Sequence, residues 1–552
     1  MIWKDIDWKS KQIWLTKLQL KIFKLSKEED MIAVFKLQKQ LVNHENAKLL
    51  AIRKITQDNL GKRTAGVDGI SKLTPAARLE LLKEIRIGNQ TDKIRRITIL
   101  KSNGKERHLG IPTIRDRIKQ CLLKFALEPQ YEAVFELNSY GFRPGRNAND
   151  ARKAIVKCLQ RTPKFILDAD IKGCFDEISH SSLLRKINTF SLFRDQIKVW
   201  LKAGILINFH NSKTEILPES GTPQGGVISP LLANIALHGM EKLIRKRGVY
   251  IVRYADDFLV LCNEKLDLIE AKQKIELFLS ELNLELSKDK TRIIHSGLIH
   301  NNVKPGVNFL GFNFINWKVG IHRSAKDSHG NFTGWKGQCQ PSVDSIRNHI
   351  LFLKDTIKKF SGLSQLVLIS KLAPIISGWT RYFSVCNATK TFSFCSMRTY
   401  NLLQKWSKKK SKSSKNVSSH WISTQTSNWV FGFKDKNEDI VKLYRHDQTN
   451  IVSTTKVKGS SSPYDGRIVY WSKKLSSNNK YGSLLKTLLK VKGPRCKKCK
   501  LYFTDSCIIE MDHIVPKNLG GSSNWDNLRL LHGHCHDEVH SKYFESKVRT
   551  KS

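Results

Sequence analysis

Two adjacent carboxylates, Asp256 and Asp257, follow Tyr254-Ala255 and sit between the apolar runs Ile251-Val252 and Phe258-Leu259-Val260-Leu261. Apolar, β-rich arms on both sides predict two strands with the acids at the tip of a hairpin. A second apolar run, Phe165-Ile166-Leu167, leads into Asp168-Ala169-Asp170. With both segments in one sheet, Asp170 joins Asp256 and Asp257, and the three form a set of hard oxygen donors of the kind magnesium prefers. Two Mg2+ ions held this way, roughly 3.5–4 Å apart, would clamp the attacking 3′-oxygen and the leaving pyrophosphate of an in-line nucleotidyl transfer.

Residues 486–552 carry a separate chemistry. Cys496-Lys497-Lys498-Cys499 and His532-Gly533-His534-Cys535 place metal-ligating residues in two pairs with two residues between ligands. Thiolates joined by an imidazole suit a tetrahedral structural zinc, and a domain this small needs such a staple. Cys496, Cys499, His532 and Cys535 are the expected ligands, with Cys507 as a spare and the choice between His532 and His534 open, His534 being read as a surface residue.

The elements that must position these groups follow from periodicity. The run ending at Asp170 reads as a strand, a helix is expected past Pro230 with Leu231, Leu232, Ile235, Ala236, Met240, Leu243 and Ile244 on one face, and another over Leu266 to Leu282. Residues 1–90 are helical in pattern, 91–315 hold strand, helices, hairpin and helix in an α+β arrangement, and 316–407 are helix-rich. The Lys/Ser run from Lys408 to Lys415 cannot bury a core and reads as a basic linker opening a stretch that ends at 485.

Composition sets the partner class. The 552 residues imply several domains, and 95 Lys+Arg against 49 Asp+Glu give a net charge of +46, which predicts strong, salt-dependent attraction to a nucleic-acid backbone. No apolar run reaches the length of about 18 residues that a membrane helix needs. Met1-Ile2-Trp3-Lys4-Asp5 lacks a secretory core and carries acid early, against an export or transit signal. Eleven scattered cysteines fit a reducing compartment.

Ordered blocks add a resemblance. Gly66-Val67-Asp68-Gly69-Ile70, Gly104 to Arg117, Ser139-Tyr140-Gly141-Phe142-Arg143-Pro144-Gly145-Arg146, the Asp170 segment, Gly221 to Pro230, the Tyr254 turn, Leu286 to Thr291 and Phe309-Leu310-Gly311-Phe312 together resemble the reverse transcriptases encoded by group II introns. The resemblance implies a multidomain α+β chain: an N-terminal RNA-binding extension (1–90), right-hand polymerase fingers and palm (91–315), a three-helix thumb or maturase region (316–407), a basic linker with a DNA-binding stretch (408–485), and an endonuclease domain (486–552). It implies Asp170, Asp256 and Asp257 as magnesium ligands and Phe175 as the ring that excludes a 2′-hydroxyl. Lys101, Arg107 and Arg143 would bind the incoming triphosphate, Gln224 and its glycines would let the backbone approach the nucleotide, and Lys290-Thr291 would support the palm or cap a helix. Ser377 to Phe383 would grip intron RNA, while Ser462 to Gly466 and Tyr470-Trp471-Ser472 would touch DNA.

Asp512-His513, Gly520-Gly521, Asn527-Leu528 and Cys535-His536, threaded through the zinc frame, resemble an HNH endonuclease. That resemblance implies a ββα-metal fold in which His513 activates water, Asn527 orients that histidine base, and Asp512 and His536 hold one divalent ion with His540 as a further ligand. Taken together, the chain is expected to copy intron RNA at a nicked DNA target, to assist intron splicing and to cut one DNA strand. Its partners would be a group II intron RNA, target DNA and deoxynucleoside triphosphates, with no membrane, as a monomer or dimer. Its Lys, Asn, Ile and Ser bias suggests an AT-rich genome and its HNH-bearing arrangement resembles intron proteins of plastids and bacteria, which favours a plastid, with a bacterial cytoplasm or mitochondrion as alternatives.

Overall fold

A computed structural model describes residues 2–100, 104, 106–207, 215–320, 325–326, 330–411, 418–424, 427–435, 438–476, 481–505 and 507–540. Helices Trp8–Lys27, Met31–Asn43 and Glu45–Arg53 open the chain, and Asp7 and Asp30 cap the first two by accepting from Ser10 and Ala33 backbone N–H groups. Their apolar stripes, including Leu15, Ile22, Leu41 and Ile52, pack with Ile118, Leu122 and Leu123 of helix Ile114–Val134.

The palm sheet has four antiparallel strands in the order Tyr250–Tyr254, Asp257–Cys262, Phe165–Asp170, Arg292–His295. Asp257–Cys262 is buried at every residue after the first. The reason is that both faces are covered: Phe258, Val260 and Cys262 enter one core with the N-terminal helices, while Leu259 and Leu261 enter a second with Phe312, Phe314 and Phe383. Alternate side chains therefore serve two cores, and only the strand ends can carry acids. The single helix expected over Leu231 to Ile244 is two, Ser229–Ala236 and Met240–Leu243, because Gly239 adopts φ 107 between them.

Above the palm, strands Ile94–Leu100 and Glu106–Ile111 form the fingers hairpin. Helices Val343–Lys359, Gln365–Phe383 and Thr389–Lys410 form the thumb around Leu353, Leu372, Ile376 and Leu403. Lys408, Lys409 and Lys410, expected in a linker, are the last turn of the third thumb helix; a solvated helix end tolerates them and its carbonyl dipoles favour cations there. Beyond it a three-stranded sheet, Trp421–Thr424, Ser427–Lys434 and Ile440–Lys442, buries Trp421 and Phe431 against Trp406 of the thumb.

Ser462 and Tyr464, in the segment expected to touch DNA, are taken up by the fold. Ser462 Oγ donates to Glu132 at 3.2 Å, Tyr464 Oη to Glu128 at 2.7 Å, and Trp471 Nε1 to Asp465 at 3.3 Å. Val457 N and Lys474 Nζ both donate to Asp150 Oδ1, at 2.9 and 2.8 Å. This stretch straps the C-terminal third of the chain to the polymerase body. No helix among the described residues is long and apolar enough to cross a membrane.

Candidate functional site

Only Ala255 and Asp256 separate the paired residues Tyr254 and Asp257. Ala255 takes φ 60, a left-handed conformation that costs an ordinary residue about 1–2 kcal/mol. Buried Arg253 holds it there, donating through Nη1 to Asn234 Oδ1 at 3.0 Å and to Ala255 O at 3.1 Å. Asn234 Nδ2 in turn donates to Gly141 O at 2.9 Å. Gly141 lies so close beneath that a β-carbon would fall 2.3 Å from Ala255 N, which explains the glycine. The turn is therefore rigid before any ligand arrives.

Asp170 and Asp257 are direct partners across the two central strands. Burial raises the Asp256 carboxyl, and the charge of Asp170 raises it further. Asp257 stands at the open mouth of the cleft, yet the protein around it, a hydrogen bond with Asp170 and the charges of Asp256 and Asp170 push it up to about 8. Three carboxylates thus share more negative charge than the surroundings neutralise. Lys290 Nζ forms an ion pair with Asp170, 2.6 Å from its Oδ2. A hard, partly hydrated divalent cation fits this donor set better than an ammonium. Asp168, two residues earlier on the same face, pairs with Arg292 at 3.0 Å, a partner the sequence did not reveal.

The fingers reach this cleft. Arg107 Nε donates to Gln224 Oε1 at 3.0 Å, and the Arg107 charge is felt at Asp256. Gly225, expected to admit a nucleotide, admits the fingers strand: at φ 131, its β-carbon would meet Gly110 O at 2.5 Å. Phe175 is half-buried at the cleft with Phe142 edge-on at 5.9 Å. Lys101 lies outside the described residues.

Arg143 is a correction. It is 5% exposed, and its Nε and Nη2 fork onto Glu132 at 2.7 and 2.9 Å while Nη1 donates to Glu136 O and Ser139 O. Phe142, at φ 59, turns outward and sends the next residue in. Its guanidinium is spent on the fold and cannot meet a triphosphate. Arg143→Ala is expected to cost about 3–5 kcal/mol by stranding a buried carboxylate. Unfolding midpoints would fall while the nucleotide KM of the folded fraction stays put; an unchanged midpoint would contradict this.

At the C-terminal domain, strands Ile509–His513 and Leu528–His532 pair antiparallel and run into a helix over 533–540, a ββα unit. Asp512, His536 and His540 bring ligand atoms within 4.8 Å of one another. His540 Nε2 is 2.9 Å and His536 Nε2 3.9 Å from Asp512 Oδ1, the two histidines sharing one helix face. Burial would raise Asp512, but hydrogen bonds from His540 and Arg529 outweigh it and hold the carboxylate below its usual range. An anionic oxygen facing two imidazoles suits one divalent ion. His513 neighbours Asp512 on the strand, and Asn527 locks the loop after it, accepting from Val515 N at 2.8 Å and donating to Val515 O and Ser522 O.

Cys496, Cys499, His532 and Cys535 form the second cluster within 4.8 Å. Cys499 Sγ lies 3.3 Å from His532 Nδ1. Cys507 lies outside the four, with its Sγ 3.1 Å from Thr504 Oγ1. His534, expected at the surface, stacks on His532 with ring centres 5.3 Å apart, and burial lowers it to about 3.

Comparison with known proteins bears on both sites. Residues 99–314 match the family of reverse transcriptases (RNA-dependent DNA polymerases), residues 3–85 the N-terminal domain of reverse transcriptase, residues 346–426 the group II intron maturase-specific domain, and residues 496–542 the HNH endonucleases. The chain is 32% identical over 378 residues to the group II intron-encoded protein LtrA of Lactococcus lactis, a match covering 54% of this chain and 60% of that protein's length. It is 31% identical to the protein YkfC of Escherichia coli, over 48% of this chain and 78% of the relative. Maturase-like protein 1 of Euglena gracilis is 26% identical, over 69% of this chain and 77% of the relative.

Proposed function

We propose, for a chain that belongs to the reverse transcriptases encoded by group II introns, that it copies intron RNA into DNA at a nicked target, assists splicing of that RNA, and cuts one target strand with its HNH domain. The observation that carries the first activity is the cluster at the palm: Asp170 opposite Asp257, Asp256 in the adjoining rigid turn, and Lys290 balancing their charge. Asp170, Asp256 and Asp257 would hold magnesium, which when bound neutralises phosphate charge and acidifies the primer 3′-hydroxyl. Arg107 would meet the triphosphate, its fork matching phosphate oxygens. Charge across the whole surface would draw the RNA in. The domain similar to the maturase-specific family supports splicing assistance, and Asp512, His513, Asn527, His536 and His540 support DNA cleavage with one divalent ion, beside a structural zinc on Cys496, Cys499, His532 and Cys535.

Primer extension by the full chain on an RNA template, with magnesium and deoxynucleotides, tests the polymerase reading; absence of cDNA from folded protein sinks it. The same assay tests Phe175. Thr222 N donates to Phe175 O at 2.6 Å, so the backbone that carries the ring is pinned from the adjacent loop. In this role Phe175→Ala raises ribonucleotide incorporation relative to deoxynucleotide by about tenfold or more, the discrimination that one pocket wall supplies. Unchanged discrimination would leave Phe175 as a packing residue.

Relatives come from bacteria, Euglena and yeasts, so family membership fixes no compartment. The plastid is our reading from an AT-rich residue bias together with the HNH-bearing arrangement; transcript mapping in isolated organelles tests it.

A further inference from the structure

Asp176 follows the ring of Phe175 in the short helix Cys174–Glu177, is exposed, and belongs to none of the sites above. Its carboxylate accepts from Gln224 Nε2 at 2.8 Å, and Gln224 Oε1 accepts from Arg107 Nε at 3.0 Å. We propose that Asp176 is a positioning residue for nucleotide binding, orienting Gln224 so that Arg107 is held over the catalytic carboxylates. The inference rests on the polymerase reading of the palm and extends it to a residue outside the metal-binding set.

A glutamine amide has a donor end and an acceptor end, and its neighbours decide which way it faces. A carboxylate only accepts and a guanidinium only donates. Asp176 therefore takes the NH2 and leaves the oxygen for Arg107, giving one polar chain from palm helix to fingers strand. Contacts to the backbone carbonyls fix Asp176 and Gln224: Ser220 Oγ donates to Asp176 O at 3.1 Å, and Gly110 N to Gln224 O at 2.8 Å. Arg107 makes no other hydrogen bond among the described residues, so its two Nη groups stay available for a bidentate grip on phosphate. Without Asp176 the amide can turn its NH2 toward the guanidinium, a donor facing a donor, and Arg107 is released.

The test uses the full chain on an RNA template with a dideoxy-terminated primer, reading deoxynucleotide affinity without chemistry, beside steady-state extension on an ordinary primer. Asp176→Ala is expected to weaken nucleotide affinity and raise KM by about tenfold, the scale of one hydrogen bond to a charged group, with kcat little changed. Asp176→Asn, whose Oδ1 still accepts from Gln224, restores most of that loss. In an Arg107→Ala background, Asp176→Ala adds little, as expected of residues acting through one chain. Unchanged affinity in Asp176→Ala, asparagine as harmful as alanine, or a kcat collapse at constant KM would each overturn the proposal. A wild-type chain that extends no primer overturns the polymerase reading and this role with it; an active wild type matched by Asp176→Ala overturns this role alone.

Discussion

Asp256→Ala is expected to lower RNA-templated DNA synthesis by on the order of a thousandfold or more, because losing a ligand for the catalytic cation forfeits several kcal/mol of transition-state stabilisation. The same variant should fold as well as the parent. Its turn is fixed by the Arg253 guanidinium, by Asn234 and by the close approach of Gly141, none of which uses the Asp256 side chain. Removing one of three mutually repelling carboxylates also relieves Asp170 and Asp257, so the unfolding midpoint should hold or rise. Splicing assistance should persist, since the region similar to the maturase-specific family is built on the thumb helices and begins at residue 346, far along the chain from the turn. The measurement pairs cDNA yield with splicing of the cognate intron RNA by one protein preparation. Retained cDNA synthesis would remove Asp256 from the metal site, and equal loss of both activities would mean that splicing depends on the same cleft.

The acids at this site were legible because a buried strand leaves few places for a charge. Phe258 to Cys262 are committed to two cores, so carboxylates at the strand end must serve something outside the core. That the Cys and His pairs of the C-terminal domain come together was legible for a related reason: ligand spacing is local, and a two-residue gap suits one ion wherever it occurs. What stayed hidden were polar pairings between distant segments. Arg143 sits in a block beside the cleft, yet its depth is set by Glu132 and by the left-handed turn at Phe142, neither of which periodicity reports. Asp176 looks like one more exposed acid until Gln224 is brought onto it from 48 residues away. Ser462 and Tyr464 read as loop residues free to touch DNA because their partners, Glu132 and Glu128, lie more than 300 residues earlier. Local pattern fixes strands, helices and ligand pairs; which polar side chain is consumed by the fold depends on contacts that only the assembled chain makes.

His513→Ala is expected to cut DNA cleavage by about 10²–10⁴-fold, the usual worth of a positioned general base, while leaving cDNA synthesis and splicing assistance intact. The domain has its own core, in which Leu488, Phe503, Leu528, Leu530 and Leu531 pack with Cys496 and Cys535, and His513 is not part of it. Nor is His513 one of the two ligand clusters, so both metals should still bind. Zinc content by atomic spectroscopy therefore serves as the folding control. Cys499→Ala gives the contrast: it removes a zinc ligand, and the small domain should lose zinc and cleavage together. If His513→Ala loses zinc as well, its defect is structural and the general-base role fails. If it cuts at the parent's rate, water is activated by another group. Cleavage of the opposite DNA strand, surviving in both variants when the intron RNA is supplied, would assign that cut to the RNA.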